Sequence, residues 1–146
     1  METMARTEMT LAILKPDAVA ARSAGKILAQ LEGEGFVVRA LRQQRLSEAQ
    51  ARAFYAVHRE RPFYASLVAF MTSGPVIPLA LERANAVAHL REVMGATDVA
   101  QAAPGTIRNL YGTSIERNAI HGSDSPENAR LELGFFFSQA ELLGAQ

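Results

Sequence analysis

The chain has 146 residues, the usual length of one compact domain, and its 49% hydrophobic content excludes a wholly disordered protein. Its 15 basic and 15 acidic residues give a net charge of zero, so bulk charge attracts neither nucleic acid nor an anionic membrane. The sequence contains no cysteine, no apolar run of membrane-spanning length and no secretory signal, so we expect one cytoplasmic domain over residues 1–146.

The first half of the chain predicts two strands and three helices. Residues 9–14 are an unbroken apolar run, typical of a strand buried on both faces, and Pro16 ends it. The other elements follow from apolar spacing and from capping patterns. In chain order they are a helix capped by Ser23, a strand over residues 36–45, a helix opened by the capping-box pair Ser47 and Gln50 with Phe54, Val57 and His58 on one face, and a helix from Pro62.

Lys15 directly follows the buried first strand, and the residues leave two interpretations open. It is either a boundary lysine whose alkyl chain covers apolar surface, or a point charge directed at phosphate from a rigid base. Lysine is rare here, since only Lys15 and Lys26 occur in the chain. Each lysine is therefore a candidate for a specific role.

The middle of the chain predicts a third strand, a helix and a long loop. The apolar run at residues 76–81 is strand-like, but Pro78 places it at a sheet edge or a bulge, because proline cannot donate to a ladder. A helix with an apolar stripe then ends at Gly95. Residues 96–116 break the pattern and predict a long irregular loop, which is usually functional or disordered in a compact domain.

The end of the chain predicts a helix, a strand and a helix. Ser125 is the expected N-cap with Pro126 in the first turn, residues 134–137 are strand-like, and Ser138 with Glu141 caps the last helix. The element order predicts an α+β fold of the ferredoxin-like, split βαβ type. We expect a four-stranded antiparallel sheet covered by helices, with inserted helices and the long loop before His121.

His121 lies in a segment rich in small polar residues, with the sequence Asn-Ala-Ile-His-Gly-Ser-Asp-Ser at positions 118–125, and we expect it to be exposed in a loop. Neutral imidazole has a free lone pair that can attack phosphorus at neutral pH. The segment therefore favours phosphoryl transfer through a phosphohistidine, with a solvated or capping histidine as the alternative. Glu132, on the following helix, either orients this imidazole or is an ordinary acid at the helix flank.

The histidine segment resembles the signature of nucleoside diphosphate kinases, and the likeness extends over nearly the whole chain. Further matching blocks are Leu-Lys-Pro-Asp at 14–17, Phe-Tyr at 54–55 with Arg-Pro-Phe at 61–63, Ser-Gly-Pro-Val at 73–76, Met-Gly-Ala-Thr at 94–97 and Pro-Gly-Thr-Ile-Arg at 104–108. The resemblance implies that a nucleoside triphosphate such as ATP gives its γ-phosphoryl group to the pros nitrogen of His121. A nucleoside diphosphate then collects this group in a ping-pong exchange.

The resemblance also implies roles for residues throughout the chain. Those that match nucleotide contacts are Lys15, Phe63, Arg91, Thr97, Arg108, Ile115 and Asn118, with Phe63 and Ile115 on either side of the base. Those that match the catalytic group are His121, Glu132, Lys15, Tyr55 and Ser123, with Glu132 and Ser123 supporting the histidine. The implied cofactor is Mg²⁺ carried by the nucleotide phosphates, with Asp124 as a contact through water, and the implied assembly is a homo-oligomer, either a tetramer or a hexamer.

Two other classes of protein compete with this interpretation. A catalytically silent nucleotide-binding module could share the fold, but intact His121, Lys15 and Glu132 argue against it. A ferredoxin-like nucleic-acid-binding domain is disfavoured by the balanced charge, so we expect no strong nucleic-acid partner.

Overall fold

A computed structural model describes residues 7–144 of the protein. Within this range the strands are β1 (Thr7–Leu14), β2 (Val37–Leu41), β3 (Ile77–Ala84) and β4 (Ile120–Gly122). They form one antiparallel sheet in the order β2-β3-β1-β4. This arrangement confirms the predicted α+β, ferredoxin-like fold. The expected lack of a secretory signal concerns residues 1–8, of which residues 1–6 lie outside the described range.

Helices of varied length join and cover these strands. Over residues 7–144 they are α1 (Pro16–Ala20), α2 (Ala24–Gly33), α3 (Glu48–Phe54), α4 (Tyr64–Met71), α5 (Ala86–Met94), α6 (Ile107–Tyr111), α7 (Pro126–Phe136) and α8 (Gln139–Gly144), with short 3-10 turns at Ala56–His58 and Val99–Gln101. None of the helices in this part of the chain is long and apolar enough to cross a membrane.

The sheet separates two hydrophobic clusters, because successive side chains of a strand point to opposite faces. On β1, Ala12 and Leu14 pack with α2 and α5, whereas Leu11 and Ile13 pack with α3, α4 and α7. All four of these side chains are completely buried. The strand predicted from the apolar run is therefore confirmed, and its buried end carries Lys15.

The strand predicted at residues 134–137 is wrong, because these residues complete and end α7. Ala129, Leu133 and Phe136 repeat at helical spacing and bury one face of the helix against the sheet. The fourth strand is β4 instead, which pairs with β1 so that His121 lies opposite Ile13. The histidine is thus on a strand of the sheet, not in a loop.

Of the two positions predicted for Pro78, the sheet edge is wrong, since β3 lies between β2 and β1. The register shift between β2 and β3 falls between Val38 and Ala40 of β2, not at Pro78. Pro78 pairs with Ile13 in the ladder, and its carbonyl accepts the N–H of Arg42 just beyond the end of β2. The N–H and C=O of one residue in an antiparallel strand point to the same side. The N–H that Pro78 lacks would therefore point towards the β2 side, beyond the last paired residue of β2. The β1–β3 ladder does not need this N–H and stays intact.

The structure confirms the predicted start of α3 but ends this helix before the predicted stripe is complete, and it lacks the capping bond expected before α2. The Ser47–Gln50 capping box is confirmed, but α3 ends at Phe54, and Val57 in the following 3-10 turn is 84% exposed. The predicted stripe of Phe54, Val57 and His58 is therefore broken. Ser23 precedes α2 but makes no capping hydrogen bond through its side chain.

The loop predicted over residues 96–116 is only partly irregular. It contains α6, which begins after Thr106 because the threonine hydroxyl accepts the N–H of Asn109. Ile107 is fully buried and ties this helix to the core. The ordered segment brings Arg108 back toward β4.

Candidate active site

A cavity of about 690 Å³ opens beside β4 and the end of β1. Of the predicted site residues, it is lined by Lys15, Tyr55, Phe63, Arg91, Thr97, Arg108, Ile115, Asn118, His121, Asp124 and Glu132. Ser123, the remaining one, is completely buried and donates its hydroxyl to Glu132. The fold therefore brings residues from both ends of the chain to one place.

His121 is held by a short polar chain behind its ring. Its side chain is 22% exposed, less than expected for a loop histidine, and Nε2 lies 2.8 Å from Glu132 Oε1. The same carboxylate oxygen accepts the Ser123 hydroxyl at 2.8 Å. An ionised carboxylate only accepts hydrogen bonds, so Nε2 carries the proton and Nδ1 keeps a free lone pair.

Two aromatic rings pack edge-on against this imidazole. The centroid of Phe54 lies 5.4 Å from that of His121, and the centroid of Tyr55 lies at 6.2 Å. Burial, and after it the charge of Glu132, raises the pKa of Tyr55. The tyrosine therefore remains a neutral phenol. The contact of Phe54 with the histidine was missed, because sequence spacing placed Phe54 only on an inward helix stripe.

Lys15 is nearly buried at the end of β1, and its Nζ donates to the carbonyl of Glu116 at 2.9 Å and to Asn118 Oδ1 at 2.8 Å. Burial lowers the pKa of Lys15 to about 8, an effect that the charge of Asp17 opposes and that of Arg108 reinforces. Asn118 also donates from Nδ2 to the carbonyl of Thr97 at 3.1 Å. The amide thus links the lysine to the opposite wall.

Arg108 is clamped beside the histidine by two backbone carbonyls. Its Nη1 donates to Gly95 at 3.0 Å and its Nη2 to Ile120 at 2.8 Å. Burial, and secondarily the positive charge of Arg91, lowers the pKa of Arg108 to about 10. Arg91 is exposed near the end of α5. With Lys15, these arginines make one wall of the cavity attractive to phosphate.

The outer end of the cavity is apolar. Phe63 is 46% exposed and Ile115 is 61% exposed, and both line the cavity. The ring of His58 lies 5.2 Å from that of Phe63, and Val57 also lines this end. Neither His58 nor Val57 was assigned to the site from sequence. The cavity therefore combines a cationic inner end with an apolar mouth.

The sequence comparison decides the family. The sequence model described as nucleoside diphosphate kinase matches residues 8–142. The chain belongs to the nucleoside diphosphate kinase family. A nucleoside diphosphate kinase of Gluconacetobacter diazotrophicus is 56% identical over 137 residues, which are 94% of this chain and 98% of that relative. One of Chlorobium luteolum is 54% identical over 136 residues, covering 93% and 97% of the two chains.

Solved structures of nucleoside diphosphate kinases have the same fold. The enzyme of Aquifex aeolicus superposes with a TM-score of 0.90 at 47% identity, covering 93% of this chain and 99% of that chain. The Halobacterium salinarum enzyme, solved in complex with CDP, gives 0.89 at 40% identity and covers 93% and 91%. The resemblance and the predicted activity, a ping-pong phosphotransfer between nucleotides, are therefore confirmed for the family.

Nucleoside diphosphate kinases need a divalent cation, and this chain has oxygen ligands but no cage for one. Among residues 7–144, no three side chains of the types that bind metals gather at one point. Asp124 is exposed at the cavity and is fixed by Asn128, whose Nδ2 donates to Oδ1 at 2.6 Å. This donor set fits a hard cation that receives most of its ligands from a phosphate chain and from water.

Close packing explains why a glycine, Gly122, follows His121 in β4. A Cβ on Gly122 would lie 2.7 Å from the sulfur of Met94 and 3.0 Å from Cδ2 of Leu90. A larger residue at this position would require the fully buried Met94 side chain to shift. In the sequence, Gly122 is visible only as a turn residue, and its packing role depends on a helix far away in the chain.

Proposed function

We propose that His121 is the nucleophile of this nucleoside diphosphate kinase and that Nδ1 receives the phosphoryl group. The observation that carries the proposal is the 2.8 Å contact between Nε2 and Glu132, which fixes the proton on Nε2 and leaves the lone pair on Nδ1. The lone pair of Nδ1 attacks the γ-phosphorus of a nucleoside triphosphate. The N–P bond forms as the bond to the bridging oxygen breaks, and the electron pair leaves with the nucleoside diphosphate.

The second half of the exchange reverses these events. A terminal oxygen of a second nucleoside diphosphate attacks phosphorus, and the electrons of the N–P bond return to Nδ1. The ring gains positive character as the N–P bond forms and loses it as the bond breaks, and Glu132 stabilises this positive character through Nε2–H. Ser123 holds the carboxylate in place from the buried side.

The cations of the inner wall bind the phosphate chain in this proposal. Lys15, Arg91 and Arg108 neutralise the charge that develops on the transferred group, and hydrogen bonds hold Lys15 and Arg108 in position before the nucleotide binds. Thr97 and Asn118 supply neutral contacts to phosphate and sugar. Tyr55, whose pKa is raised by burial, can donate its phenolic hydrogen to the transferring phosphoryl group.

Phe63 and Ile115 are proposed to hold the nucleobase between them at the apolar mouth. Every base has an apolar face that stacks on an aromatic ring, so this contact is tolerant of base identity. Val57 and Leu67 also line the cavity and add apolar surface to it. Such a mouth suits an enzyme that exchanges phosphate among different nucleotides.

Mg²⁺ is proposed as the divalent cation, held by the nucleotide phosphates and by Asp124 through water. When bound, it supplies charge neutralisation on the phosphate oxygens. We also propose a homo-oligomer, with sedimentation analysis to distinguish a tetramer from a hexamer. The expected single domain over residues 1–146 and the cytoplasmic location stay predictions.

A γ-phosphate exchange assay between ATP and several nucleoside diphosphates tests the nucleophile. His121→Ala should abolish exchange but keep nucleotide binding. His89→Ala is the matched control, because His89 Nε2 also lies 2.8 Å from a carboxylate, that of Glu34, but outside the cavity. Retained turnover in His121→Ala contradicts the proposal, and loss of turnover in both variants shows only damage to the fold.

A further inference from the structure

We propose that Asp17 is a positioning residue for the phosphoryl transfer. Its carboxylate holds the backbone of Ala119 in the turn that sets Asn118 and His121 in their places. The inference rests on the proposed role of His121 and adds a residue that does not line the cavity.

Ala119 has a backbone conformation that residues other than glycine rarely adopt. Its φ angle is +74°, and the N–H of Ile120 donates to the carbonyl of Asn118 at 2.9 Å. A hydrogen bond across one residue with positive φ defines a γ-turn of the rare, strained kind. Such strain persists only where the surroundings hold the backbone firmly.

Lys15 and the first turn of α1 hold Ala119 by both of its polar backbone groups. Asp17 Oδ2 accepts the N–H of Ala119 at 3.0 Å, and the N–H of Lys15 donates to its carbonyl at 2.9 Å. Any residue at position 15 could make the second bond through its backbone. The first bond needs a side-chain acceptor at position 17, and a carboxylate makes it charge-assisted.

The turn joins the two halves of the site. On one side, Asn118 accepts from Lys15 Nζ and donates to Thr97, and on the other side β4 begins, with His121 paired to Ile13. If Ala119 relaxed to a negative φ, the chain would leave the turn in another direction. Asn118 and His121 would then no longer keep both sets of partners at once.

The charge of Asp17 acts on the same site. Burial is the largest effect on Lys15 and lowers its pKa, and the positive charge of Arg108 lowers it further. The carboxylates of Asp17 and Glu116 oppose this and favour the protonated lysine. Asp17 therefore helps to keep a cation at the phosphate end of the cavity.

A simpler role is available, because an acid in the first turn of a helix is favoured by the helix dipole. Asp17 does lie in the first turn of α1. However, its Oδ1 is buried without a hydrogen-bond partner in the described part of the chain. A helix-dipole contact does not depend on any backbone group of Ala119, whereas Asp17 Oδ2 accepts the N–H of that residue.

Variants of the full chain separate these roles. Asp17→Ala removes both the acceptor and the charge, and Asp17→Asn removes only the charge. Glu8→Ala and Glu8→Gln are matched controls, because Glu8 Oε1 also accepts a backbone N–H, that of Val87 at 2.9 Å, at the opposite end of β1. Single-turnover phosphorylation by ATP, the pH profile of kcat/KM and thermal unfolding are measured for each.

We expect Asp17→Ala to slow phosphorylation about tenfold or more, as for loss of a hydrogen bond to a charged group. Asp17→Asn should recover most of the rate at neutral pH, but its kcat/KM should begin to fall at a lower pH than in the wild type. The Glu8 variants should change neither quantity. Because Asp17→Asn keeps the acceptor, it remains informative even if Asp17→Ala unfolds.

A wild-type phosphorylation rate in Asp17→Ala overturns the inference, as does an equal slowing in Glu8→Ala. A pH profile of Asp17→Asn that superimposes on that of the wild type overturns the part played by charge. Failure of the proposed function looks different, because the wild type itself would then turn over without labelling His121.

Discussion

Replacing Glu132 by Gln removes the charge beside His121 but keeps the side chain's length and an acceptor oxygen. Oε1 now lies 2.8 Å from His121 Nε2 and accepts Ser123 as well. Hydrogen bonds to charged groups contribute about 1.5–3 kcal/mol and neutral ones about 0.5–1.5 kcal/mol. The difference of about 1–1.5 kcal/mol corresponds to roughly five- to tenfold slower phosphorylation of His121.

The side chains of this pair are only 22% and 25% exposed, so water screens the interaction incompletely. The charge on the ring develops during attack, and the loss should therefore appear in the single-turnover rate rather than in nucleotide affinity. Rapid-quench kinetics with labelled ATP measures it. Glu34→Gln, beside His89, is the control. An unchanged rate in Glu132→Gln, or an equal loss in Glu34→Gln, refutes the reasoning.

Three other predictions concern the phosphate end, the base and the packing of β4. Because the pKa of Lys15 is lowered to about 8, the lysine loses its charge as pH rises through that value, and kcat/KM should fall with it. A kcat/KM that stays flat at alkaline pH contradicts this prediction. Phe63→Ala should weaken binding of purine and pyrimidine nucleotides alike by about 1–3 kcal/mol, measured by titration, and a loss confined to guanine nucleotides would instead indicate readout of base edges. Gly122→Ala should lower the free energy of unfolding, measured in urea, by about 1–3 kcal/mol, because the new Cβ meets Met94. Gly25→Ala is the control, because a Cβ at Gly25 has open space around it. Equal stability of the two variants would mean that β4 adjusts freely to the added methyl group.

The first strand and most helices were predictable because their signals are local. The apolar run at 9–14 indicates burial on both faces, and the capping boxes at Ser47 and Ser138 are present as hydrogen bonds. Strand β4 was missed because three residues are too few to show a period. The phenylalanines at residues 135–137 favoured a strand, but their position at the end of α7 and the pairing of β1 with β4 decided otherwise.

The site was predictable from the residues only in part. Lys15 was a candidate because it follows a buried strand, and His121 because it lies among small polar residues. Resemblance to the family, rather than pattern, joined Arg91, Arg108 and Phe63 to them. The contact of Phe54 with His121 and the grip of Asp17 on Ala119 were not visible. Both depend on segments that are far apart in the chain, and no local period carries that information.

The central claim is that His121 carries the phosphoryl group between two nucleotides. The most direct measurement mixes the protein with γ-labelled ATP and magnesium without an acceptor, followed by quenching and peptide mapping. We predict a single acid-labile phosphoryl group on the peptide that contains His121, removed when a nucleoside diphosphate is added. Label on another residue, or exchange without any labelled intermediate, would contradict the claim.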